Sequence, residues 1–131
     1  MVERSMKSKV AMSLLGSLLL TGAAYAQETR TELKRADLTG TNMEIWTAVY
    51  EFPVGYTIPA HSHNGEEVVY VLEGAKLKRA DGTEIEIKTG TYNVVPRDLV
   101  HGGATVLGPG SLKLFAAHVI DKGGPIRVLP K

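Results

Sequence analysis

The chain has 131 residues, 44% hydrophobic and 22% charged, enough apolar material for one core and too little length for two. Its formal net charge is +1, with basic residues interspersed among acidic ones. That excludes the basic stripe of a nucleic-acid binder and the one-signed field that gathers acidic substrates. The absence of cysteine excludes disulfides, thiolate catalysis and a lipid-bearing cysteine anchor.

Arg4, Lys7 and Lys9 precede an apolar run over residues 10–20, followed by Ala24-Tyr25-Ala26. A charged start, an apolar middle and a small-x-small end predict a secretory signal peptide over residues 1–26, cleaved after Ala26. The run contains Ser13, Gly16 and Ser17 and falls short of the roughly 20 apolar residues that span a bilayer, so no membrane anchor is expected after cleavage. Residues 27–131 are then a single domain, periplasmic or secreted. Losing the leader's three basic and one acidic residue turns the formal charge from +1 to −1.

The lead from Glu28 to Ala36 is polar apart from Leu33, and reads as a short edge strand or an arm laid on a neighbouring subunit. Asp37 to Asn42 is a turn cluster. Met43–Phe52 is rich in β-branched and aromatic residues and predicts a strand. Met43, Ile45, Thr47 and Val49 share one face, and Trp46, Ala48, Tyr50 and Phe52 the other. Apolar groups on both faces predict cover on both sides.

After the turn at Pro53-Val54-Gly55 comes the stretch on which the rest depends, residues 55–74, reading GYTIPAHSHNGEEVVYVLEG. In an extended chain alternate side chains share a face, so His61, His63 and Glu67 can point together while Glu66 points away. That is a metal-ligand set, provided Asn64-Gly65 does not host a bulge and shift the register. Pro59 suits an edge position, and residues 68–72 make the most apolar strand of the chain. Two strands, residues 76–79 and 84–88, flank the hairpin signal Asp81-Gly82; their alternating charged and apolar residues predict one wet face and one buried face. Gly90 turns the chain into a strand at Tyr92–Val95, Pro96-Arg97-Asp98 makes a corner, and His101 follows on the return strand. Gly108-Pro109-Gly110 turns it again into a long last strand over residues 111–120, and residues 121–131 read as a loop or arm. No helical period follows the leader, so short strands between Gly and Pro turns predict an all-β sandwich or barrel.

These residues carry a resemblance: the chain resembles the cupin superfamily, in particular its small single-domain bacterial members of the cupin 2 conserved-barrel type. The family's first motif, G-x5-H-x-H-x3-E-x6-G, is met by Gly55, His61, His63, Glu67 and Gly74. The second, G-x5-P-x-G-x2-H-x3-N, is met by Gly90, Pro96 and His101, with Asp98 in the place of glycine and Thr105 in the place of asparagine. Asp tolerates left-handed backbone better than most residues. The resemblance implies a double-stranded β-helix, the jelly-roll cupin barrel, with His61, His63, Glu67 and His101 on one metal.

Such a donor set suits one divalent first-row transition metal, Mn, Fe, Co, Ni, Cu or Zn, and an octahedral ion would keep two positions open. Among other candidates, His118 lies in an apolar row of the last strand. It is either a core histidine with a backbone partner or a proton-handling group near the pocket. Trp46 and Tyr92 are pocket candidates or simple core. Glu66 faces solvent or supports a ligand, and Arg97 is an exposed corner or a carboxylate clamp.

Two functions fit. One is a metal-dependent enzyme on a small organic substrate, of dioxygenase, isomerase or lyase type, with Glu67 and His118 as candidate catalytic residues. The other is a non-catalytic binder of a metal or small ligand in the periplasm. A homodimer is expected from the resemblance, the exposed sheet edges and the arm near Leu33.

Overall fold

The computed structural model describes residues 25–131, so the expected leader through residue 24 lies outside the described residues. Nine strands follow in chain order: β1 (Thr29–Asp37), β2 (Met43–Phe52), β3 (Thr57–Ile58), β4 (Gly65–Glu73), β5 (Ala75–Arg79), β6 (Glu84–Ile87), β7 (Tyr92–Val95), β8 (Ala104–Gly108) and β9 (Leu112–Asp121). They form a five-stranded sheet, β1-β2-β9-β4-β7, and a four-stranded sheet, β3-β8-β5-β6. Every pairing within them is antiparallel. The fold is the all-β jelly roll that the strand pattern and the resemblance predict.

The core lies between the sheets. Trp46, Ala48, Tyr50 and Phe52 of β2 are buried with Leu112 and Ala116 of β9, Val71 of β4, Ala75 and Leu77 of β5, and Ala104 and Val106 of β8. Trp46 and Leu112 are each 1% exposed, and burial of such a side chain contributes about 1.5–3 kcal/mol. The β5–β6 pair alternates as expected: Ala75 and Leu77 are buried while Lys76 and Lys78 are exposed.

One expectation is corrected. The second face of β2, with Met43, Ile45, Thr47 and Val49, is only half-buried, because β2 belongs to an outer sheet with one side toward solvent. The apolar run after Glu67 is likewise covered on one side only: Val68, Tyr70 and Leu72 are exposed, and only Val71 is fully inside. The polar lead is a full edge strand, β1, paired to β2 with an irregularity between Glu32 and Lys34.

The chain stays in register through Asn64-Gly65. Burial alternates from His61 through Glu67, and β4 pairs regularly with β9 from Gly65 opposite Ile120 to Val71 opposite Leu114, with the shift falling only between Val71 and Glu73. No bulge forms at Gly65 because glycine there lets two backbones meet: a Cβ would lie 1.9 Å from the Val119 carbonyl oxygen. At the corner after Pro96, Asp98 takes φ 64°, the left-handed conformation that a glycine would otherwise supply.

Candidate metal centre

His61 and His63 lie on the segment between β3 and β4, and His101 on the segment between the Pro96 corner and β8. A two-way backbone bridge joins them: His61 N–H donates to His101 O (2.9 Å) and His101 N–H to His61 O (2.8 Å). Glu67 enters from β4, whose register sets it opposite Val95 of β7 and His118 of β9. His61, His63 and Glu67 are buried and His101 is half-buried. Glu66 is exposed on the opposite side of β4, as the alternation requires.

The nitrogen chemistry is specific. His61 Nδ1 faces Pro59 O at 2.6 Å, His101 Nδ1 faces Leu99 O at 3.0 Å, and His63 Nδ1 faces Ile126 O. A carbonyl only accepts, so each Nδ1 carries a hydrogen; the neutral ring then keeps a lone pair on Nε2, and the protonated ring donates from it. His63 Nε2 and His101 Nε2 lie 3.1 and 3.0 Å from the same oxygen, Glu67 Oε2. Lone pairs so placed around a carboxylate require a positive centre between them, either a proton or a metal ion. Ligand atoms of His61, His63 and His101 all lie within 4.8 Å of one another, as do those of His63, Glu67 and His118. Backbone carbonyls holding the far nitrogen of ligating histidines are a regular feature of metal sites. His61, His63 and His101, with Glu67 held against two of them, could therefore hold a metal ion.

His118 is fully buried, but it lacks the backbone partner expected of a core histidine. Its Nε2 lies 3.3 Å from Tyr50 Oη and 3.8 Å from Glu67 Oε1, while its Nδ1 has no partner. Trp46 packs on the His118 ring at 5.2 Å between centroids. Trp46 does not line the cavity: it closes the core behind His118 and donates its indole N–H to Glu32. Tyr92 only touches the cavity rim, since its side chain is 81% exposed and pairs in register with outward Tyr70. Arg97 is the expected corner residue, donating twice to Asp121 at 2.9 and 2.8 Å.

The histidines open onto a cavity of about 710 Å³ lined by Phe52, Ile58, Val71, Leu77, Leu112 and Leu114, with Tyr50 and Arg127 beside the donor cluster. That size accepts a small organic molecule. The sequence reading missed Tyr50 and Arg127. The parity of β2 puts Tyr50 on the inner face and could have found it. Nothing in the tail's composition marks Arg127.

Charge follows burial. Burial draws His61 down to about 4 and His118 down to about 4. Burial pushes the Glu67 carboxyl up, but hydrogen bonds from His101 and His63 outweigh it and hold it well below the usual carboxylate range. For His101, burial pulls down and Glu67 more than compensates, raising it. A histidine whose folded value lies below its unfolded 6.5 takes up protons on unfolding, so His61 and His118 make the metal-free chain lose stability from pH 6.5 down to about 4. Glu67 adds to the loss further into acid. His101 works the other way, its contribution present in acid and lost as pH rises through its raised value. The urea midpoint of metal-free protein should therefore fall between about pH 7 and about pH 4.5; a constant or rising midpoint contradicts neutral His61 and His118.

Comparison with known proteins follows the same lines. No curated protein sequence matches the chain. Among solved structures, the polyketide cyclase RemF from Streptomyces resistomycificus is similar at TM-score 0.58 and 20% identity, over 96% of this chain and 88% of that one. An uncharacterized conserved protein with a double-stranded β-helix domain from Klebsiella pneumoniae is similar at TM-score 0.56 and 20% identity, over 82% and 92%. An acetylacetone dioxygenase from Acinetobacter johnsonii is similar at TM-score 0.52 and 17% identity, over 98% and 91%. At these identities the likeness is one of fold. The family model of the cupin domain matches residues 48–118, more than half of the chain and a span that holds every candidate ligand. With both motifs, the barrel and the donor cluster in agreement, the chain belongs to the cupin domain family.

Proposed function

We propose that the chain is an exported, metal-binding monocupin that acts as a metal-dependent enzyme on a small organic substrate, with chemistry of dioxygenase, isomerase or lyase type. One observation carries the reading: three imidazoles have Nδ1 fixed on backbone carbonyls, and two of them, His63 and His101, bring Nε2 to a single carboxylate oxygen of Glu67 at the wall of an apolar cavity. Bound there by His61, His63, Glu67 and His101, a divalent ion would supply Lewis-acid polarisation of a substrate oxygen.

The chain's own groups account for the rest. The apolar walls exclude water from the substrate and strengthen every charge inside. Glu67 Oε2 lies 3.1 and 3.0 Å from His63 and His101 Nε2, while its Oε1 lies 3.8 Å from His118 Nε2, so the carboxylate stands between the ligand histidines and a further group able to hold a proton. Tyr50 Oη, 3.3 Å from the same nitrogen, extends that path, and burial pushes the Tyr50 hydroxyl up to about 12, which keeps it a donor. Folds of this kind host many reactions, so the barrel alone assigns none.

The predominantly apolar lining of the cavity favours a second reading, a non-catalytic holder of a metal or small ligand. Elemental analysis of protein purified from its own envelope, followed by substrate screening with that metal in place, separates the two. Turnover supports the enzyme; saturable binding without product supports the holder. Metal-free protein from the native compartment overturns the metal-dependent enzyme and the metal holder, and leaves only the holder of a small ligand.

The same proposal includes a homodimer. Val68, Tyr70, Leu72, Tyr92 and Val94 are all exposed on β4 and β7, and the register places Val68 beside Val94 and Tyr70 beside Tyr92 on the outer face. An apolar face of this kind suits a second copy. Native mass measurement should give twice the chain mass, and a monomer alone overturns this part.

A further inference from the structure

The C-terminal tail brings a cation to the metal centre. Its backbone is pinned on both sides of Arg127: Ile126 O receives the His63 Nδ1 hydrogen, and Val128 exchanges two hydrogen bonds with Ser62, each 2.9 Å. Arg127 is thereby held over the segment that carries His61 and His63, and it lines the same cavity. Its guanidinium stands 5.4 Å from the Tyr50 ring centroid. It is shielded, with its side chain 19% exposed, and its charge is felt at Tyr50, His61, His101 and His118.

Only part of its donor fork is used. Nη1 donates to both oxygens of Glu28 at 2.9 Å, and the guanidinium also stands beside the Tyr56 hydroxyl; the hydrogen bonds of the described residues include none from Nε or Nη2. Glu28 comes from the segment just before β1 and is itself held by the Tyr56 hydroxyl at 3.2 Å. A carboxylate from a terminal segment thus sits on the guanidinium at the cavity. A planar fork with free donors, beside an apolar cavity, fits a second carboxylate bidentately.

We propose that Arg127 is a specificity residue for this site, selecting substrates that combine an apolar body with one carboxylate, and that Glu28 is the resting counter-ion such a substrate displaces or shares. The substrate's apolar body would lie against Leu77, Leu112 and Leu114, with its acid end at Arg127 and its reacting end toward the histidines. The inference rests on the functional reading above for its substrate, but the binding preference itself does not need the metal.

The test uses 3-phenylpropanoate and its neutral isostere 3-phenylpropanamide, titrated calorimetrically into the full domain, metal-free and Mn-loaded, with metal content measured on each sample. Wild-type protein should bind the acid at least about tenfold more tightly than the amide, consistent with a charge-assisted bidentate pair. Arg127→Gln should lose that preference, and Arg127→Lys should keep part of it, having the charge without the fork. Glu28→Gln should tighten acid binding several-fold and leave the amide unchanged. Equal affinity of wild type for acid and amide, no acid binding in either form, a preference that survives Arg127→Gln, or weaker acid binding in Glu28→Gln overturns the proposal. Failure to take up manganese with an Arg127-dependent preference intact would instead count against the metal-centre reading alone.

Discussion

Replacing His61 or His101 with alanine should strip the protein of its metal. Each removes one imidazole from the set that His61, His63 and His101 form; His118, the remaining histidine, stands on β9 across from Glu67 with its Nε2 3.3 Å from Tyr50 Oη, and groups with His63 and Glu67 rather than with His61 and His101. Loss of an outer partner of a metal ligand typically costs 10- to 100-fold in affinity, so loss of the ligand itself should cost at least about 100-fold. The measurement is metal stoichiometry after dialysis, with affinity by competition against a chromophoric chelator. His101→Ala is the cleaner of the two, because its side chain is 25% exposed and its truncation leaves little buried void. His61 is 4% exposed, so circular dichroism must first show His61→Ala folded. Wild-type stoichiometry and affinity in either variant removes that residue from the ligand set.

Gly65→Ala should be among the most destabilising single changes in the domain. The added Cβ would meet Val119 O at 1.9 Å, Ile120 Cα at 2.7 Å and Val119 C at 2.8 Å, all backbone, none of which can swing aside as a side-chain tip would. Relief requires β4 and β9 to part or to slip. A cost of about 3 kcal/mol or more is expected, at the upper end of overpacking effects. It should appear as a lower urea midpoint in metal-free protein. The same strain should weaken metal binding, because Gly65 begins the ladder that sets Glu67 opposite His118. A variant within about 0.5 kcal/mol of wild type would mean that the strands are not packed this closely.

The grouping of His61, His63 and Glu67 was readable because its geometry is mostly local. His61, His63 and Glu67 differ by even numbers of residues, and a chain that remains extended puts them on one side whatever surrounds it. The structure keeps that parity through Asn64-Gly65. The corner at Asp98 was legible for a similar reason, since the residue's own short side chain makes a left-handed φ of 64° tolerable. Alternation likewise gave the wet and buried faces of β5.

Burial of apolar runs was less legible. The two apolar faces of β2 predicted cover on both sides, but which side of a sheet is covered depends on what packs there, and one face of β2 is only half-buried. Trp46 and Tyr92 illustrate the limit: aromatic character could not tell a residue behind His118 from one 81% exposed on the outer face.

By itself, then, the sequence determined an all-β chain with Gly and Pro corners, and one strand whose odd positions present imidazoles and a carboxylate together, since both follow from short-range backbone periodicity. Only the tertiary structure decided that His118 would stand across from Glu67, that Tyr50 would reach it, and that the tail would carry Arg127 over the cavity to meet Glu28 from the other end of the chain. These contacts join residues 51 to 99 positions apart, where no local period operates and sheet register and chain closure alone fix who meets whom.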